Sequence, residues 1–207
     1  VVGPDFQWRP ITSQVITGQV LFSATKNIAP FWSHAADIEW THDTTRLDLN
    51  ARYKNLGDDF RVDTGFVPQV GYRETTGGGG WTIRPSGFVR RLRTYIELQR
   101  QVDQPGVLIS RHVTPAVEMD VRWTGFVRLR FINERTRAGD RAFDRRQLGY
   151  LLRFNPSPWL AEIRAEGTVG QEIDFDNSRG GTGNTINLSA TINATQHLEV
   201  TLLHNER

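Results

Sequence analysis

Ser110 and His112 stand two residues apart in the segment Val107–Trp123, and Glu118 follows on the same parity. A hydroxyl, an imidazole and a carboxylate are the groups that acyl hydrolysis uses. On an extended chain, period two puts all three on one face. Neighbours at i and i+2 of one strand rarely bring a serine Oγ onto a ring nitrogen. A polar lining is the simpler reading of the trio. Ser110 and His112 are the catalytic candidates that the sequence offers, and whether the chain is an enzyme stays open. The histidines His34, His42, His112, His197 and His204 form no metal pair at helical spacing, so no metal site and no cofactor is expected. "DFDNSRGGTGN" (174–184) lacks the alternate ligands and late Glu of a calcium loop, and no Lys-Ser/Thr follows "GGGG" (77–80) as in a phosphate loop.

Composition narrows the classes. The chain has 207 residues, 38% hydrophobic, no Cys and a mean hydropathy of −0.46. No run of about eighteen apolar residues occurs, so helical membrane spans are excluded. Lys appears only at positions 26 and 54; the remaining basic residues are Arg, interleaved with Asp and Glu rather than clustered. Mixed charge argues against a nucleic-acid partner. Residues 1–207 read as one domain. Both termini run in strand-like sequence, and we expect both to be cuts in a longer chain.

The polar residues need elements to position them, and the pattern for those is alternation. In "TRLDLNARYKN" (45–55), Leu47, Leu49, Ala51 and Tyr53 share one parity. Arg46, Asp48, Asn50, Arg52 and Lys54 share the other. Similar stretches are expected at Asp5–Arg9, Gln14–Ala24, His34–His42, Phe60–Arg73 (with a break at Pro68), Phe88–Val102, Val107–Trp123 and Gly125–Arg137. Further ones follow at Arg146–Phe154, Trp159–Gln171, Thr185–Ala194 and His197–His204, about twelve in all. Tight connections ("PITS", "HDTT", "WTG", "NPSP", "ATQ") largely alternate with longer polar ones ("TKNIAPFWS", "TRAGDRAFD", "DFDNSRGGTGN"). "TTGGGG" (75–80) reads as a long turn or excursion, and Pro115 as a bulge. Hairpins throughout predict an antiparallel up-and-down meander.

Strand length separates soluble from membrane sheets. Soluble strands run about five or six residues. About ten residues at about 3.3 Å each, tilted about 45°, reach roughly 24 Å, close to the apolar band of an outer-membrane barrel. Arg90 and Arg100 bracket Leu92, Thr94, Ile96 and Leu98 on one parity. Trp40, Trp123, Phe154 and Trp159 flank tight turns, where an aromatic girdle would lie. The opposite parity carries Arg46, Asp48, Arg52, Arg91, Arg93, Glu97, Glu118, Asp120, Arg128 and Arg130, the expected lumen lining. A one-residue slip would turn charges toward lipid at about 2–4 kcal/mol for each mid-bilayer Arg, which pins the register. A soluble β-sandwich is the structural alternative; it needs a cover for its apolar face.

"DFQWRPI" (5–11), "TGQVLFSAT" (17–25) and "DDFRVDTGFVPQVGYRE" (58–74) resemble an uncharacterised bacterial family in which an outer-membrane barrel follows a family-9-like carbohydrate-binding module. Its members are often labelled membrane-associated hydrolases. The resemblance implies an outer-membrane location and supplies no site residues. It covers most of the chain, with the signature segments in the first third.

The expectation is therefore an all-β, antiparallel up-and-down transmembrane β-barrel, a fragment of a larger one. Its partners would be outer-membrane lipid and a polar, saccharide-type solute passing through it. The alternatives are a plugged anchor that displays a carbohydrate-binding module, and an outer-membrane hydrolase.

Overall fold

The computed structural model describes residues 1–24, 32–62, 68–122, 124–139, 141–175, 177 and 179–207. Among these there is no helix. Twelve strands form one antiparallel sheet in sequence order: β1 (Asp5–Trp8), β2 (Gln14–Ala24), β3 (Trp32–Asp43), β4 (Leu47–Leu56), β5 (Tyr72–Ile83), β6 (Val89–Asp103), β7 (Leu108–Val121), β8 (Gly125–Ala138), β9 (Arg141–Phe154), β10 (Leu160–Asp174), β11 (Arg179–Thr195) and β12 (Leu198–Glu206). The order is linear, with β1 and β12 as its first and last members. The chain divides into two compact units: residues Val1–Gly79 with Glu97–His112, and Gly80–Ile96 with Val113–Arg207.

In the first unit, register follows the alternation. Gly18 pairs with Ile38 and Ile38 with Tyr53; Val20 pairs with Ala36; Phe6 pairs with Gly18. These residues form one apolar face. The Phe6 ring lies against Gly18, covering backbone that a side chain would otherwise cover. On the other face Gln19 pairs with Asp37, Asp37 with Lys54, and Glu39 with Arg52. The β3–β4 turn is locked by Thr44, whose Oγ1 accepts from the Leu47 amide at 2.9 Å. Asp103 holds the β6–β7 turn, accepting from the Gly106 and Val107 amides at 3.0 and 2.7 Å. Gly106 has φ +102°, a value that L side chains rarely adopt.

In the second unit, Leu129 pairs with Tyr150, Phe131 with Leu148, and Leu148 with Val169 on the apolar face. Arg130 pairs with Gly149 and Glu134 with Arg145 on the polar face. Toward the hairpin tip the apolar face itself turns polar, with Asn133 opposite Arg146 and Arg135 opposite Asp144. The apolar residues thus form a band with a defined edge.

Burial does not sort by polarity as it does in a soluble domain. Among the described residues, the buried apolar side chains are Phe60, Ala116, Val121, Leu151 and Ile173. Ser23, Thr82, Ser110, Thr114, Glu134 and Gln147 are buried equally deeply, and no large side chain among the described residues is below 2% exposure. Large apolar side chains instead stand in the open, among them Leu148 at 47%, Phe131 at 48% and Leu202 at 57%. Exposed aromatics gather near strand ends: Trp8, Trp32, Trp81, Phe88, Trp159 and Phe175.

Several expectations need correction. Of the strand expected at Phe60–Arg73 only Tyr72 and Arg73 are strand; the chain is irregular at 57–62 and 68–71, and 63–67 lie outside the described residues. The strand starts instead at Tyr72 and runs through Gly77–Gly80, so "TTGGGG" is neither turn nor excursion. Neighbouring side chains explain this: a Cβ at Gly79 would meet Leu49, and one at Gly80 would meet the Arg93 guanidinium 2.7–2.9 Å away. The expected polar loops at 136–144 and 174–184 are mostly strand, because β8, β9, β10 and β11 continue past the apolar band. Pro115 sits within β7 with its ring exposed on the parity opposite Ser110, Thr114 and Ala116. Trp123 lies outside the described residues, as does most of "TKNIAPFWS".

Candidate functional site

The polar face is a set of ion pairs built by period two. On β3 and β4, Arg52 Nε donates to Asp37 Oδ1 at 2.7 Å, and its Nη2 bonds the second carboxylate oxygen. The fork geometry of guanidinium on carboxylate makes this a bidentate pair. Its place is diagonal, since Arg52 lies directly opposite Glu39. Nearby, Gln99 Nε2 donates to Glu74 Oε2 at 2.7 Å, and Gln104 Nε2 reaches Asn55 Oδ1 at 2.9 Å.

In the second unit Arg91 bridges two carboxylates of β7. Its Nε donates to Asp120 Oδ2 at 2.6 Å and its Nη1 to Glu118 Oε1 at 3.1 Å. Arg93 Nη1 lies 3.8 Å from the same Glu118 oxygen, and its Cζ sits 4.2 Å above the Tyr95 ring. The absence of a side chain at Gly80 gives that guanidinium its room. A second cluster joins β8, β9 and β10. Arg145 pairs with Glu134, lies 3.7 Å from Glu172, and Gln147 Nε2 donates to Glu172 Oε1 at 2.8 Å. Glu134 is the most enclosed carboxylate of these pairs, with its side chain 7% exposed. A third pair, Arg164–Glu166 at 2.6 Å, lies along β10.

The sequence candidates are distributed as follows. Arg91, Arg93, Glu118 and Asp120 are brought together. Arg52 joins Asp37. Arg128 and Arg130 share the Glu134 face of β8 and are half-buried. Asp48 lies opposite Asp43 on the Arg52 face of β4. Glu97 shares the Arg91 parity of β6 but is exposed. Arg46 is displaced from the expected strand: it occupies the turn before β4 and is exposed, because Thr44 caps that turn. Sequence reasoning missed Arg145, Gln147 and Glu172. Arg145 immediately precedes the expected strand Arg146–Phe154, while Glu172 follows the expected end at Gln171. Glu134 had a usable signal, since it continues the Arg128 and Arg130 parity.

Ser110 and His112 belong to the first unit and Glu118 to the second. Ser110 is buried at 8% exposure, and its Oγ donates to Gln101 Oε1 at 3.4 Å. Glu118 is committed to Arg91 and Arg93. Among the described residues no group of three or more His, Asp or Glu side chains is placed to hold a metal ion.

The polar face can therefore bind, orient or pass polar groups. No family model, curated protein or solved structure matches the chain.

Proposed function

We propose that this chain is a membrane-embedded β-barrel of a bacterial outer membrane, and that it conducts a polar, saccharide-type solute along its charged face. The observation that carries the reading is the exposure of large apolar side chains beside buried polar ones: Leu148, Phe131, Leu202 and Ile38 are exposed while Glu134, Gln147, Ser110 and Thr114 are buried. In water that arrangement leaves large apolar area hydrated at about 25 cal/mol per Å². In lipid it is the favourable one. Strands of 10–15 residues at β4, β6 and β10 fit the reach that a tilted span needs. Exposed tryptophans at strand ends fit an interfacial girdle.

The solute class follows from the charge balance. Arg52, Arg91, Arg145 and Arg164 each meet a carboxylate, so the face presents hydrogen-bonding dipoles more than net field. A neutral, hydroxyl-rich solute suits such a lining better than a simple ion. The resemblance to barrels that follow a carbohydrate-binding module points the same way. A second reading, a filled barrel acting as an anchor, is favoured by the enclosed Glu134–Arg145–Gln147–Glu172 cluster.

Conductance in a planar bilayer separates the two. Stepwise conductance that is partly blocked by oligosaccharide supports the conduit. Membrane insertion without conductance steps overturns it and leaves the anchor.

A further inference from the structure

The apolar face carries two arginines that differ from those on the polar face. Arg73, on β5, and Arg100, on β6, line a cleft of about 210 Å³ together with Tyr53 and Thr75. All four belong to the first unit. Tyr53 shares its face with Ile38, and Arg100 shares its parity with the exposed Ile96 and Leu98. Arg73 donates through Nη2 to the Gln104 carbonyl at 3.0 Å, while its Nε is shielded from solvent and has no acceptor among the described residues. No carboxylate lies within ion-pair distance of Arg73 or Arg100 among those residues, whereas Arg52, Arg91, Arg145 and Arg164 all have one.

From this contrast we infer that the Arg73–Arg100 cleft is a binding site for the phosphate of a membrane lipid headgroup. Two guanidiniums lining one cleft on the apolar face, with no internal counter-charge among the described residues, suit an anion from outside. A phosphate accepts from several N–H donors at once, and the Tyr53 and Thr75 hydroxyls supply neutral donors beside them. The acyl chains of the same lipid would lie along Leu98. The inference rests on the proposal that the apolar face meets lipid, and a free phosphate ion offers the same headgroup chemistry without the chains.

The test folds the chain into phosphatidylcholine vesicles, extracts it in mild detergent and titrates it with short-chain phosphatidic acid or with inorganic phosphate. Saturable binding of phosphatidic acid is expected, with inorganic phosphate far weaker. Arg100→Gln should weaken it about fivefold, the factor for one cation near an anionic lipid surface. Arg73→Gln should do at least as much, and Arg90→Gln, at the other end of β6, should change nothing. Arg100 is exposed, so its variant keeps the test independent of the Arg73–Gln104 contact. Entry into vesicles with wild-type affinity in both cleft variants overturns the site and leaves the membrane reading intact. Equal affinity for inorganic phosphate overturns the lipid as its source. Failure to enter vesicles at all overturns the membrane reading, and the lipid site with it.

Discussion

Glu134 and Arg145 face each other directly across the β8–β9 ladder and are ion-paired, with the carboxylate side chain only 7% exposed. Glu172 draws on the same guanidinium from β10, at 3.7 Å. Removing the arginine takes its charge away from Glu134 and Glu172 together. Breaking a buried pair from one side costs about 3–5 kcal/mol; with Arg145 itself 25% exposed, the lower end applies. Arg145→Leu should therefore destabilise the fold by about 3 kcal/mol in urea titrations of the vesicle-inserted chain. Glu134→Gln keeps a hydrogen-bond acceptor and should cost about 1 kcal/mol. Equal, small effects would show that the cluster is solvated.

The β10–β11 turn responds to pH through Asp174. Its carboxylate accepts from the Asn177 side chain at 2.8 Å, from the Asn177 amide at 3.1 Å and from Arg179 Nε at 2.9 Å. These bonds, the Asn177 side chain first, hold its pKa below the ordinary carboxylate value. A lowered folded-state pKa means that the contribution is complete above the unfolded value, about 3.9, and is lost as pH falls through the folded one. Amide exchange at Asn177 should be flat from neutral pH down to about 4 once the intrinsic rate is removed, then rise. In Asp174→Asn the protected plateau should be lower and the acid step absent. An unchanged step in that variant would assign it to another group.

Two glycines on adjoining strands predict opposite outcomes. A Cβ at Gly167 would overlap the Thr185 carbonyl oxygen and approach the Tyr150 hydroxyl at 2.7 Å. Gly180, on β11, has nothing within 4 Å of its place. Gly167→Ala should destabilise by about 1–3 kcal/mol, since backbone must move. Gly180→Ala should stay within about 0.5 kcal/mol. Denaturant midpoints of the two variants make the comparison, and equal midpoints would mean that the close approach at Gly167 is relieved without cost.

Legibility in the sequence tracked side-chain alternation. β2 is bounded by Gln14 and Ala24 in both the pattern and the structure, because every position carries a readable polarity. β5 was invisible because Gly77–Gly80 have no side chains to alternate; the strand is specified by what its neighbours put there, Leu49 and Arg93. The ends of β8, β9 and β11 read as loops because beyond the apolar band both faces are polar, as at Arg135 opposite Asp144. Among the charged residues, the shared parities of Arg91 with Arg93 and of Glu118 with Asp120 were readable. Their contact depends on β6–β7 register, which no local pattern states. Arg145 was lost with the strand end that carries it.

The central claim is that the Leu129–Phe131–Leu148 face meets lipid while the Arg130 face does not. The chain has no cysteine, so single cysteines can be placed without background. Phe131→Cys and Arg130→Cys, adjacent in β8 and on opposite faces, can each carry a small fluorophore in vesicles that contain nitroxide-labelled lipid. Strong quenching at position 131 and weak quenching at 130 is the predicted result. Equal quenching at the two positions, or none at 131, would contradict it.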